Sequence, residues 1–297
     1  MKLALQLNNY IWDGDPARLG PTLSRIGEAA DEYGFACIAV ADHLWAVPPW
    51  MGSVDSQVPE AYTTLAFLGA STSRVNLMAL ASPPNFRYPA MLARVVSTLD
   101  TLSGGRAWLG IGAGDFADEA LGLGMPYPPV GERFEMLEET VQICLHMWSG
   151  EHGDEQSFHG KHFSIERAIN SPQMPETLTR PHPPIMIAGS GEQKTLRLVA
   201  RYADACNIQP GPGIPGKLDV LRRHCEVEGR DYNSIEKTCP FLFDPGEDGS
   251  RVSELIGQLR WLAGMGIQTV YGAVPHVDRI TPLEIVGRQV VSAVAEF

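Results

Sequence analysis

Eight short apolar runs recur along this chain, each followed by a stretch with apolar residues at helical spacing, and this alternation constrains the fold more than any other feature. The runs lie at 3–7 (LALQL), 36–42 (ACIAVAD), 75–82 (VNLMALAS), 106–114 (RAWLGIGAG), 185–188 (IMIA), 205–209 (ACNIQ), 237–243 and 269–274. Strands that alternate with helices must run parallel. Eight of them predict an α/β fold closed as a (β/α)8 TIM barrel. An open doubly wound sheet would carry a dinucleotide fingerprint after its first strand, and none follows Leu7. The chain therefore reads as one domain over 1–297. The polar segment at about 150–183 is too long for an ordinary connection, so it reads as an insertion between the fourth helix and fifth strand, with FHGKHFSI supplying a hairpin strand.

The formal charge of -12, without a long Lys/Arg run, argues against nucleic acid or an anionic membrane as the main partner. The five cysteines are odd in number and lack CxxC spacing, which points to reduced, buried thiols and neither a disulfide framework nor a zinc ribbon. Met1 leads straight into the first strand, and no apolar run reaches membrane-spanning length. A soluble cytoplasmic protein is expected.

In a barrel of this kind the working face lies at the C-terminal ends of the strands. The polar residues there are Asn8, Asp42 with His43, Ser82 with Asn85, Asp115, the turn Gly189-Ser190-Gly191, Asn207 with Gln209, and His276. Asp42 and His43 offer a carboxylate and an imidazole that could orient a ring nitrogen or move a proton. Equally, the Asp could cap its loop and the His could be satisfied by backbone. Asp115 follows a Gly-Ala-Gly and could stand at the mouth as an acid or base, or serve as a helix cap. At residues 189–191 small residues join a strand to a helix, where free N–H groups and the helix dipole suit an anion; a turn without ligand has the same signature.

Trp45, Trp50, Phe86 and Tyr88 could form an aromatic wall or simply pack the rim. His159 and His162 fall on opposite faces of a predicted strand, so no metal site is expected. No GxSxG elbow occurs and no cysteine has an evident activating partner, which removes the usual signs of covalent or metal-dependent hydrolysis.

Over essentially its whole length the chain resembles the luciferase-like monooxygenase superfamily, and within it the oxidoreductases that use the deazaflavin coenzyme F420. The resemblance rests on GRAWLGIGAG at 105–114, GERFEMLEE at 131–139, FHGKHFSI at 158–165, RPHPPIMIAGSGEQKTLRLVARYADACN at 180–207 and GRDYNSIEKT at 229–238. It implies a cofactor ring near Asp42, His43, Trp45, Ser82, Pro83 and Asp115, with the phosphate-bearing tail at Gly189, Ser190 and Gly191. His43 and Asp115 match positions that carry a histidine and a carboxylate in related sugar-phosphate dehydrogenases. The resemblance also implies a non-prolyl cis bond after the third strand, for which Ser82-Pro83-Pro84 offers a prolyl alternative, and a homodimer through helices near the second and third units. Where most members have Trp after the GxG of strand four, this chain has Asp115-Phe116, so the substrate pocket is expected to differ.

The expected function is an F420-dependent oxidoreductase with a small-molecule substrate. His43 and Asp115 would be its catalytic residues, with Asp42, Trp45, Ser82, Pro83, Asn85, residues 189–191 and Asn207 holding the cofactor. One alternative is an FMN-dependent monooxygenase supplied with reduced flavin by a partner reductase. Another is a non-catalytic barrel that binds a flavin or deazaflavin.

Overall fold

Period-2 burial along each strand separates two cores, and that separation builds the barrel. In β1 (Lys2–Leu7) the side chains of Leu3, Leu5 and Leu7 are buried in the layer between strands and helices, while Ala4 joins the interior cluster. That interior holds Ala39, Met78, Met186, Ala205 and Tyr271, small and large residues alternating to fill the space within the ring. Fully burying a side chain such as Leu5 or Ile38 contributes about 1.5–3 kcal/mol, so the outer layer is the main source of stability.

The computed structural model describes residues 1–12, 15–48, 50–149, 157–172 and 181–297. Residues 150–156 and 173–180 of the expected insertion, Arg180 of the family run among them, fall outside these. Parallel strands close in the order β1, β10, β9, β8, β7, β4, β3, β2, as the alternation predicts. These are β2 (Cys37–Val40), β3 (Asn76–Ala79), β4 (Ala107–Ile111), β7 (Ile185–Ala188), β8 (Ala205–Asn207), β9 (Glu236–Leu242) and β10 (Thr269–Ala273). A two-stranded antiparallel pair, β5 (Phe158–His159) and β6 (Ser164–Ile165), forms the described part of the insertion.

Helices α1 (Leu19–Glu32), α2 (Ala61–Ser71), α3 (Pro89–Ser103), α5 (Val130–Ser149), α6 (Thr195–Tyr202), α7 (Ile214–Glu228) and α8 (Val252–Gly264) wrap the ring. Glu60 caps α2 by accepting the Thr63 N–H at 2.7 Å. The closing segment, read as one helix, instead consists of α9 (Thr281–Val286), a π turn (Gly287–Val291) and a short last turn. Gly287 lies so close to Tyr33 that a Cβ there would sit 2.3 Å from the Tyr33 Cβ, and the helix widens where the two meet.

Two details differ from the sequence reading, and the cis bond is the non-prolyl one that the resemblance implies rather than the prolyl alternative. His162 lies in the turn between β5 and β6 rather than in a strand, with Nε2 2.8 Å from Glu135, while Glu139 accepts the N–H groups of Lys161, His162 and Phe163. The cis bond joins Leu80 to Ala81, so it is non-prolyl and precedes the two prolines. Between β4 and α5 the proline-rich loop contains a further helix, α4 (Ala117–Gly122), whose N-terminal residue Phe116 provides no side-chain cap and so no sequence signal.

Candidate active site

The C-terminal ends of β2, β3, β4, β7 and β8 enclose a cleft of about 400 Å³, a size usual for small-molecule sites. His43 stands in its wall just beyond β2. Its Nδ1 lies 2.8 Å from Oε2 of Glu119, which is buried on α4. The other oxygen of that carboxylate accepts the N–H groups of Leu44 and Trp45. A carboxylate held in this way fixes the imidazole ring and leaves Nε2 as the nitrogen for a ligand. Phe116 packs edge-on against His43 at 5.2 Å and against Trp50 at 6.2 Å, so imidazole, phenyl and indole form a continuous wall.

Asp42 does not pair with its neighbour His43. Its buried carboxylate takes a two-pronged contact from Arg87, at 2.6 and 3.1 Å, and a hydrogen bond from the Ser82 hydroxyl at 2.6 Å. Tyr62 adds a hydroxyl contact to Ser82 at 2.9 Å and offers its ring to the guanidinium at 4.8 Å. Arg87 also meets Glu60. Although its burial opposes the charge, the neighbouring Asp42 carboxylate raises the Arg87 pKa above its ordinary value. This network ties the ends of β2 and β3 to the start of α2, and Ser82 lies behind the cleft wall rather than in it.

The loop after β4 passes through Gly112, Ala113 and Gly114, with Gly114 at a φ of +72°. Buried Arg133 of α5 holds it from below, donating to the carbonyls of Ala113 at 3.0 Å, Gly114 at 3.2 Å and Pro128 at 2.8 Å. Asp115 therefore stands exposed at the cleft mouth. Beside Gly114, Pro83 and Asn85 line the cleft. The Asn85 amide donates to the Pro126 carbonyl at 2.9 Å, and its Oδ1 is buried without a partner among the described residues.

At the β7 turn Gly189 has a φ of +125° and its N–H is spent on the Asn207 carbonyl at 2.9 Å. The expectation of a fully free turn is corrected here. Among the described residues, the N–H groups of Ser190 and Gly191 make no hydrogen bond. The Ser190 hydroxyl accepts from Gln209 N–H at 2.8 Å, and a Cβ on Gly191 would sit 2.9 Å from the Thr195 hydroxyl oxygen. Asn207 lines the cleft while its Nδ2 donates to Thr238 at 2.9 Å, leaving the amide oxygen for a ligand. The turn runs three residues further than the sequence suggests, and α6 begins only at Thr195.

The cleft thus gathers Asp42, His43, Pro83, Asn85, Asp115, Gly189 and Asn207, but not Trp45, whose ring lies over Gly122 on α4. Of the four rim aromatics, Trp50 and Phe86 line the cleft and Tyr88 does not. Sequence reading missed Glu119, Arg87 and Arg133. Only Arg133, inside the GERFEMLEE run, had a motif that could have drawn notice. All five cysteines are free and buried, and burial pushes the Cys206 thiol up to about 11, which is unsuited to a nucleophile. Among the described residues no His, Cys, Asp and Glu cluster could hold a metal, and no helix is long and apolar enough to cross a membrane.

Comparison with known proteins agrees with the fold. A family profile described as luciferase-like monooxygenase matches residues 15–277, so the chain belongs to that family. It is 31% identical over 76% of its length to an F420-dependent glucose-6-phosphate dehydrogenase of Kineococcus radiotolerans, covering 64% of that protein. The chain spans between about half and two thirds of the length of the curated relatives it matches. Among solved structures, monooxygenase RslO1 of Streptomyces bottropensis superimposes with a TM-score of 0.80 at 18% identity, covering 98% of this chain and 99% of the other. An F420-dependent secondary alcohol dehydrogenase superimposes with a TM-score of 0.79 at 18% identity, covering 99% and 98%.

Proposed function

We propose that this chain is a coenzyme F420-dependent oxidoreductase, cytoplasmic and acting on a small organic substrate. The observation that carries the reading is the His43–Glu119 pair in the wall of a cleft large enough for a flat ring. Curated relatives named as F420-dependent dehydrogenases support the choice of cofactor.

The residues present fit such a group. The orphaned Asn85 oxygen and the Asn207 oxygen would meet ring or ribityl donors, with Pro83 against the ring. The Ser190 and Gly191 N–H groups would meet the phosphate, where a Cβ on Gly191 would crowd Thr195. Lys194, which follows that turn and whose ammonium lies 5.4 Å from the Phe134 ring, would be the cation to reach the phosphate. When bound, a deazaflavin supplies a ring carbon that gives or accepts a hydride. In the oxidising direction His43 Nε2 would take the substrate's hydroxyl proton as the carbonyl forms, the C–H hydrogen and its electron pair going to that ring carbon. Glu119 holds the imidazole in place and balances the charge it gains. Asp115 at the mouth exchanges that proton with solvent.

The family's description as monooxygenases favours a second reading, in which FMN is the cofactor and a partner reductase supplies it reduced. Anaerobic titration separates the two: saturable binding of F420 with negligible binding of FMN is expected, and the reverse overturns the F420 reading. The chain is also proposed to form a homodimer through the outer face of α3, where Met91 and Leu102 are 60% and 75% exposed.

A further inference from the structure

A second cleft, of about 530 Å³, opens beside the first over the ends of β1, β9 and β10. Gln6 and Trp50 border both, so the two clefts adjoin at the indole and together make up a basin. Large apolar side chains are exposed on its walls beside the polar groups: Ile11 is 54%, Trp50 67% and Leu242 55% exposed, and Trp12 and Val274 add to the same walls. Its polar groups are mainly amides, from Gln6, Asn8 and Asn9.

Charge decides what the basin can hold. Among the described residues neither cleft is lined by Lys or Arg. Asp42 is neutralised by Arg87 and Glu119 is committed to His43, whereas Asp115 and Asp278 make no ion pair among the described residues. Arg279 and Arg251 border a separate depression beyond His276, and Arg251 is paired with Asp244. Arg18 and Arg25 share a further depression with Asp278 and Trp12, outside the basin. A phosphomonoester in the basin would lose hydration and meet no lysine or arginine on its lining among the described residues, while an uncharged molecule would bury apolar surface against the indoles and Leu242.

From this arrangement we infer that the substrate is an uncharged, largely apolar alcohol or its ketone. It sits over β1, β9 and β10 with its oxygen turned toward His43, and sugar phosphates are excluded. The inference rests on the hydride-transfer reading and separates this chain from the relatives named glucose-6-phosphate dehydrogenases.

Its test has a readout that needs no cofactor. Tryptophan fluorescence and saturation-transfer NMR of the full chain would be recorded with cyclohexanol, cyclohexanone and glucose 6-phosphate, in parallel with F420 fluorescence titration. Saturable binding of the cyclohexyl pair is expected, weakened about tenfold in Leu242→Lys, with no saturable binding of the sugar phosphate. With F420 present, kcat/KM for cyclohexanol should exceed that for glucose 6-phosphate by at least about tenfold. Binding of glucose 6-phosphate in place of the cyclohexyl pair, binding of neither, or an unchanged Leu242→Lys affinity would overturn the inference. Failure of F420 alone to bind would overturn the cofactor reading and leave the ligand-binding result to stand by itself.

Discussion

Glu119 and His43, 76 positions apart in the chain, meet with a carboxylate oxygen 2.8 Å from Nδ1. The contact converts an exposed-looking dipeptide into an oriented base, since the carboxylate is buried and its second oxygen is occupied by backbone N–H groups. Glu119→Gln keeps those acceptor contacts but removes the negative charge opposite the ring. Turnover should fall about 10²-fold while the Kd for F420 stays within about twofold. A kcat within twofold of the parent would remove Glu119 from the proposal.

Arg87→Met leaves the Asp42 carboxylate buried with only Ser82 as partner. A loss of about 3–5 kcal/mol in urea unfolding is expected, and adding Asp42→Asn should recover most of it. A single-variant loss below about 1 kcal/mol would show that the network is not structural.

Asp100 is buried in α3 and accepts the Ala107 N–H at 3.1 Å, while burial raises its pKa from 3.8 to about 6. Between those values the folded state holds a proton that the unfolded state has released, so this group's contribution to stability falls as pH rises from about 4 to about 6. Asp100→Asn should flatten that slope and be more stable than the parent at pH 7 by about 1 kcal/mol. Parallel slopes for the two proteins would contradict the assignment.

Leu102→Asp with Met91→Asp should turn the proposed dimer into a monomer in sedimentation velocity without changing the circular dichroism spectrum. A parent protein that is already monomeric at micromolar concentration would refute this interface.

Nearly all of the ring was legible because strand and helix periods are local properties, visible within 5–15 residues. The site was legible only in outline. Asp42, His43, Asp115 and Asn207 could be placed by counting to strand ends, but their partners could not. Arg87 reaches Asp42 across 45 positions, and Glu119 sits on a helix without a capping signal. Trp45 and Trp50 look alike in sequence; the space left by Gly122 decides that Trp45 packs on α4 and Trp50 faces the cleft.

The placement of Glu119 also governs how this barrel could be re-engineered. Its carboxylate belongs to the connection after β4, whereas everything it binds, at His43, Leu44 and Trp45, belongs to the connection after β2. Trp45 in turn rests on Gly122 of the same helix. The two connections are therefore one transplantable module. A chimera that borrows either loop alone from a relative would inherit half of a proton-handling pair, and only a double graft would carry the chemistry with the new pocket.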